Sequence, residues 1–357
     1  MKKTLALLMA VVLLLPMFAC AQEGTLIDGT NKTNVPVKAE YRDNPVLEGI
    51  SPTTGLPFTG KYAPVFAMID NAIEAYPHWG VGQADIIYQL PHAGHGATRL
   101  MAMFSDKMPE SVGGVRSART PFLDVVFSYG GAFVLAGTPG EEVAKEDNVP
   151  LQLYKAGYRF NKEQFDVLQD ADFRTRVKHH KNPHNLSVNI KKVQELALNA
   201  GAEFEQRPFL FTDELPQKGE KANFIEINHY RHHDTKKPNP ASAATYTYDV
   251  EKGGYIRETA FGKYADMQDQ DNPIVFANVI VQRVRYGWND SYVHLLDAVG
   301  SGVAQIFMGG RFIQGAWYKN ARDGRTVYLD ENGNEIKLQR GKTFVVVGNE
   351  DVLVSYK

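Results

Sequence analysis

Apolar residues fall along this chain in short runs, and the length of each run sorts it into an element. The first, Thr4–Leu15, follows Lys2 and Lys3 and is broken by Pro16 before Met17-Phe18-Ala19-Cys20. It falls short of the ~20 residues needed to cross a bilayer, and its cationic start and apolar centre are those of a secretory signal. Residues 21–48 are polar, rich in Thr, Asn, Lys, Asp and Pro, and show neither a period of 2 nor of 3.6. That composition predicts a flexible tether, with a body that folds alone from about residue 45 onward. Ser51-Pro52-Thr53-Thr54-Gly55-Leu56-Pro57 is a turn-rich entry, and Ala63–Ile69, Ala84–Gln89 and Thr98–Phe104 then read as strands. Thr120 as N-cap and Pro121 as first helical residue predict a helix through Phe122–Tyr129. Ala132–Ala136 is strand-like, Thr138 and Glu141 have capping-box spacing, and Ser187–Ala200 is helical in period with Gly201 as its C-cap.

Past Gly219 the character changes. Tyr246–Tyr248, Val275–Val284, Tyr292–Leu296, Ala304–Met308, Arg325–Leu329 and Thr343–Val347 read as strands, with a turn at Asp330–Asn334. The expected architecture is an α/β or α+β N-terminal domain over residues 49–215. A smaller, mainly antiparallel β C-terminal domain follows over 220–357.

Composition narrows the partners. A chain of 357 residues that is 43% hydrophobic and 22% charged has the make-up of a globular protein. Its net charge of −2 argues against a nucleic-acid partner. The single cysteine, Cys20, stands at the end of the signal with the small residue Ala19 before it, where a bacterial lipoprotein acquires its lipid. The alternative is ordinary cleavage after Ala21, which would leave a mature protein without cysteine. The lipoprotein reading places the chain on the extracytoplasmic face of the cell membrane, anchored through acylated Cys20.

Several stretches resemble one family. Ser51-Pro52-Thr53-Thr54-Gly55-Leu56-Pro57, Met68-Ile69-Asp70-Asn71, Gln83–Tyr88, Thr98-Arg99, Val115-Arg116-Ser117-Ala118-Arg119 and Pro183-His184-Asn185-Leu186 match its first part. Asn278–Val281, Val299-Gly300-Ser301-Gly302, Gly315 with Trp317, and Asp330 with Gly333 match its second. The chain resembles the YerB-like lipoproteins, a bacterial family defined by a domain of unknown function in two parts. The resemblance implies a membrane-anchored extracytoplasmic protein with an α/β first domain and a β-rich second, and it implies no established activity. Two departures stand out: Gln89 and the His92–His95 stretch occupy places where the family pattern carries acids.

The segment before Pro121 is the strongest candidate for chemistry. The first turn of a helix offers unpaired amides and the positive end of a dipole. Arg116 and Arg119 lie just before it, with Ser117 and Thr120 as hydroxyl donors and Arg99 at the head of a neighbouring strand. Such a set suits phosphate or carboxylate; equally, the arginines can pair internally with Asp70 or Asp85. Those two aspartates are the candidate catalytic groups, and Asp70-Asn71 is also a good turn former. The histidines group as His92 with His95, His179-His180 with His184, and His229 with His232-His233-Asp234, none with the spacing of a known zinc signature. No metal and no cofactor is expected. The leading expectation is a non-enzymatic envelope protein that binds an anionic cell-wall component or a protein partner through the arginines. The alternative is an enzyme acting on a phosphorylated or glycosyl envelope substrate.

Overall fold

All five residues of Val65–Ile69 are buried, and so are all seven of Thr98–Phe104. Strands buried along their whole length have cover on both faces of their sheet, and the computed structural model supplies it. It describes residues 25–38, 40–93, 96–139, 145, 147–232, 237–289, 292–295 and 297–357. The signal segment with Cys20, and Glu141 of the expected capping box, lie outside these.

In chain order the elements used below are β1 (Thr25–Leu26), β2 (Val65–Ile69), β3 (Ile86–Pro91), β4 (Thr98–Phe104), α1 (Thr120–Tyr129), β5 (Ala132–Leu135), α2 (Val149–Lys155) and β6 (Gln164–Asp166). There follow β7 (Leu186–Val188), α3 (Ile190–Asn199), β8 (Phe224–Asn228), β9 (Ala244–Asp249), β10 (Gly254–Thr259), β11 (Asn278–Arg283), β12 (Gly300–Met308), β13 (Arg311–Lys319), β14 (Thr343–Gly348) and β15 (Leu353–Tyr356).

The larger sheet has eleven strands and runs β13-β12-β11-β14-β3-β4-β2-β5-β6 through its centre. Its pairing is mixed: β3-β4-β2 and β11-β12-β13 are antiparallel, whereas β2-β5-β6 and β11-β14-β3 are parallel. Strand β14, from the end of the chain, thus lies between β11 and β3 and joins both sequence halves in one sheet. A seven-stranded second sheet, centred on β1-β15-β8-β9-β10, packs on one face.

Alternation along each strand sorts side chains to the two faces. Phe66, Met68, Met101, Met103, Phe133 and Val345 meet Phe122, Leu123 and Val126 of α1 and Val149 and Leu153 of α2. Val65, Ala67, Leu100, Ala102, Val134 and Phe344 face α3 through Val193 and Ala197, and the second sheet through Ile225, Tyr246 and Val354. The described chain is therefore mostly sheet with three α-helices, so the α/β description of the first half is met only in part.

Three expectations change at residue level. Arg119, in extended backbone, is the N-cap of α1, and Thr120 is its first helical residue. Helix α3 begins at Ile190 because Ser187 and Val188 are drawn into pairing with Val112 and Gly113; Asn189 caps it by accepting from Lys192 N. The expected tether is laid against the body from Thr25 onward. Thr25 and Leu26 pair with Tyr356 and Ser355, and Ile27 is buried. Val35 and Tyr41 pack against Ala316, Val327 and Leu329, and Asn44 donates to Pro208 O and Glu335. These apolar residues are spaced too irregularly to show a period, and each fills a separate niche.

Candidate functional site

Residues 115–118 cross the ends of β2 and β5. Arg116 N donates to Met68 O, Ala136 N donates to Arg116 O, and Ala118 N donates to Gly137 O. The crossing presses close against its neighbours: a Cβ on Gly113 would lie 2.3 Å from the Trp79 ring, and one on Gly114 2.4 Å from His184 O. Only glycine fits at either position.

Asp70, buried at the end of β2, is the centre of the corner so formed. Its Oδ2 lies 2.9 Å from Arg116 Nε and 2.8 Å from His184 Nδ1, and its Oδ1 accepts from Ala72 N. The backbone oxygen of Asp70 contacts His78 Nε2 at 2.6 Å. Arg99, buried at the head of β4, donates to Ser117 O, and Arg119 donates to Ala118 O at 2.8 Å. Burial and the charges of Arg119 and Arg116 push the Arg99 guanidinium down to about 9, with Asp70 opposing. Burial and the three arginines likewise push His92 down to about 3, so it is neutral. Among the described residues the corner gathers three guanidiniums about one carboxylate. Ser117 is half-buried beside them and Thr120 is buried in the first turn of α1.

Asp85 is not part of this corner. It sits at the other end of β4, roughly 20 Å away at about 3.3 Å per residue. There its Oδ2 accepts from Ser105 N at 2.5 Å, Ser105 Oγ at 3.0 Å and Asp106 N at 3.1 Å. The structure therefore brings together Asp70, Arg99, Arg116 and Arg119 but not the two aspartates.

The sequence placed His184 in a histidine cluster and in the Pro183-His184-Asn185-Leu186 family match, and neither pointed to Asp70. A second network lay beyond any local pattern. Gln89 Nε2 donates to Thr98 Oγ1 and Ser242 O, and Asn71 Nδ2 donates to Thr98 Oγ1 and Ala241 O. Gln89 thus acts as a donor, which an ionised glutamate in its place cannot do. Among the described residues no group of three or more His, Cys, Asp or Glu is placed to hold a metal ion. His95, His233 and Asp234 lie outside them.

Fold and corner together define a sheet-dominated body in two sequence parts, with a cation-rich corner where strands end. The chain belongs to the family described as protein of unknown function DUF3048: the N-terminal domain of that family matches residues 53–203 and the C-terminal domain residues 235–345. It is 25% identical over 298 residues to YerB of Bacillus subtilis (strain 168), whose name calls it a candidate lipoprotein, across 82% of this chain and 81% of that one. The crystal structure of Bacillus subtilis YerB shares the fold, with a TM-score of 0.70 and 24% identity, covering 86% of this chain and 99% of that one.

Proposed function

We propose that this chain is a lipid-anchored envelope protein, held on the extracytoplasmic face through Cys20, that binds an anionic ligand at the Arg99–Arg116–Arg119 corner. The anchor reading rests on the signal segment ending in Ala19-Cys20 and on kinship with a protein that carries a lipoprotein name. The ligand is a phosphate- or carboxylate-bearing group, of an anionic cell-wall polymer or of an envelope protein. One observation carries this reading: Arg99, Arg116 and Arg119 converge on one corner, at Ser117 O, Asp70 and Ala118 O, where burial first and the charges of Arg119 and Arg116 second depress Arg99. Guanidinium forks then favour an oxyanion, which each can meet with two parallel bonds.

Thermal melting of the detergent-solubilised full chain, titrated with sulfate or phosphate, tests it. Millimolar anion should raise the melting temperature of the wild type, less so as sodium chloride is added. Arg116→Ala and Arg119→Ala should abolish the effect, the lysine variants should keep part of it, and Asp70→Asn should strengthen it several-fold by removing the competing charge. A wild type indifferent to both anions, or alanine variants that melt lower yet bind sulfate unchanged, would return the arginines to a purely structural role. In fractionated cells, before any detergent is added, Cys20→Ala should leave the membrane fraction.

A second reading, an enzyme acting on a phosphorylated or glycosyl envelope substrate, draws on one contact. His184 Nδ1 against Asp70 Oδ2 is the pairing of a base with the carboxylate that orients it. It calls for turnover that falls in His184→Gln, and binding without turnover would dismiss it.

A further inference from the structure

We propose that the cleft beneath the segment joining the two family parts binds a short, extended, basic peptide, which adds itself to the edge of β13. Residues 212–220 lie between the stretches matched by the two family domains, and they form an arch pinned at both ends. Leu210–Thr212 pairs with Lys337–Gln339, and Glu220 and Lys221 pair with Phe312 and Arg311. Gln339 Nε2 donates to Glu214 O at 2.7 Å, and Arg311 Nη1 donates to Gly219 O at 2.9 Å. Between the arch, β13 and the turn after Leu329 lies an open cleft of about 760 Å³, a size at which proteins hold ligands. Its apolar lining comes from Met308 and Phe312, both buried, and from half-buried Ile313 and Ile336.

Backbone pairing along β13 is interrupted in this cleft. The two-residue turn Gly309-Gly310 joins β12 to β13, so Met308 and Arg311 form a hydrogen-bonded pair. Counting by twos from there, Phe312, Gln314 and Ala316 turn their backbone N–H and C=O away from β12. Glu220 pairs with Phe312 on that outer side, and Leu329 pairs with Ala316. Gln314, between them, is exposed and has no strand partner on that side among the described residues. Such a gap in an edge is a template for one more extended segment. Charge decides which segment. Glu214, Glu220, Asp330, Glu331 and Glu335 line the cleft, against Lys218 and Lys337. Glu335 is held by Arg325, and Glu331 lies 3.9 Å from Lys218. Glu214, Glu220 and Asp330 therefore outweigh Lys337. A strand with alternating side chains suits both surfaces, apolar ones against Ile313 and Ile336 and cationic ones against the acids. The cleft repels the anions proposed for the arginine corner, and its peptide does not depend on that reading.

The test is fluorescence anisotropy of a labelled hexapeptide of alternating lysine and valine, titrated with the full chain in non-ionic detergent. The wild type should bind it saturably, less tightly as sodium chloride is added, and should not bind the counterpart with glutamate for lysine. Glu214→Gln together with Glu220→Gln should weaken binding about tenfold. Gln314→Pro removes an N–H that faces away from β12, so the β12–β13 ladder stays while binding is lost. Arg116→Ala should bind as the wild type does. Should Gln314→Pro fail to fold, the same peptide N-methylated at alternate residues gives the answer, because it cannot add to an edge and should not bind. A wild type that binds neither peptide or both alike would overturn the proposal. So would binding that survives N-methylation or both glutamate changes, or binding that is lost with Arg116.

Discussion

Two aspartates of similar burial have different work because different groups reach them. Asp70 meets Arg116 and His184. Asp85 meets hydrogen-bond donors and another acid: burial and Asp106 push its carboxyl up to about 7, while Ser105 N, Asp106 N and Lys342 pull the other way. An acid whose folded value lies above its unfolded one takes up a proton on folding. Its contribution to stability is then full below the unfolded value near 4 and is lost as pH rises to about 7. Asp85→Asn keeps an oxygen for Ser105 and removes the titration. Urea titrations at pH 4.5 and 7.5 should show the wild type losing stability relative to the variant, on the order of 3 kcal/mol; parallel behaviour of the two proteins would exclude Asp85 as the titrating group. The sequence marked both aspartates as candidate catalytic groups and could not tell them apart, because Ser105, Lys342 and His184 come to them from distant parts of the chain.

Strands buried on both faces were legible as mainly apolar runs, and Thr98–Phe104, polar only at Thr98 and Arg99, is bounded as expected. Strands β8 and β10 were not: Phe224–Asn228 alternates with polar residues, and Gly254–Thr259 carries Arg257 where a core strand calls for an apolar side chain. The arginine-bearing segment was legible as a special stretch, but the reason for its two glycines appears only in the packing. Gly114 lets that segment pass within van der Waals reach of His184 O, and a methyl group there meets backbone that cannot turn aside. Gly114→Ala should therefore cost about 1–3 kcal/mol and part His184 from Asp70. Chemical denaturation reads the first effect and the His184 imidazole resonances read the second. An alanine variant as stable as wild type would mean that the crossing has slack.

At the scale of the molecule, the sequence showed two compositional halves but not that one sheet runs through both. The joining pairs, such as Val345 with Tyr88 and Val345 with Ile280, are non-local and leave no local pattern. Without β14, strand β3 would present a long apolar edge, the kind that aggregates. Residues 25–215 and 220–357 expressed apart should each lack a cooperative melt, and co-expression should restore one; independent cooperative unfolding of either half would show that β14 is dispensable. The pairing of Thr25 and Leu26 with Tyr356 and Ser355 also sets a height. Residues 21–24 alone lie between Cys20 and that strand, and five peptide steps reach at most about 18 Å. If Cys20 carries lipid, as proposed, that short leash would hold the carboxy-terminal edge of the body close to the bilayer, and a ligand would have to meet it at the membrane surface.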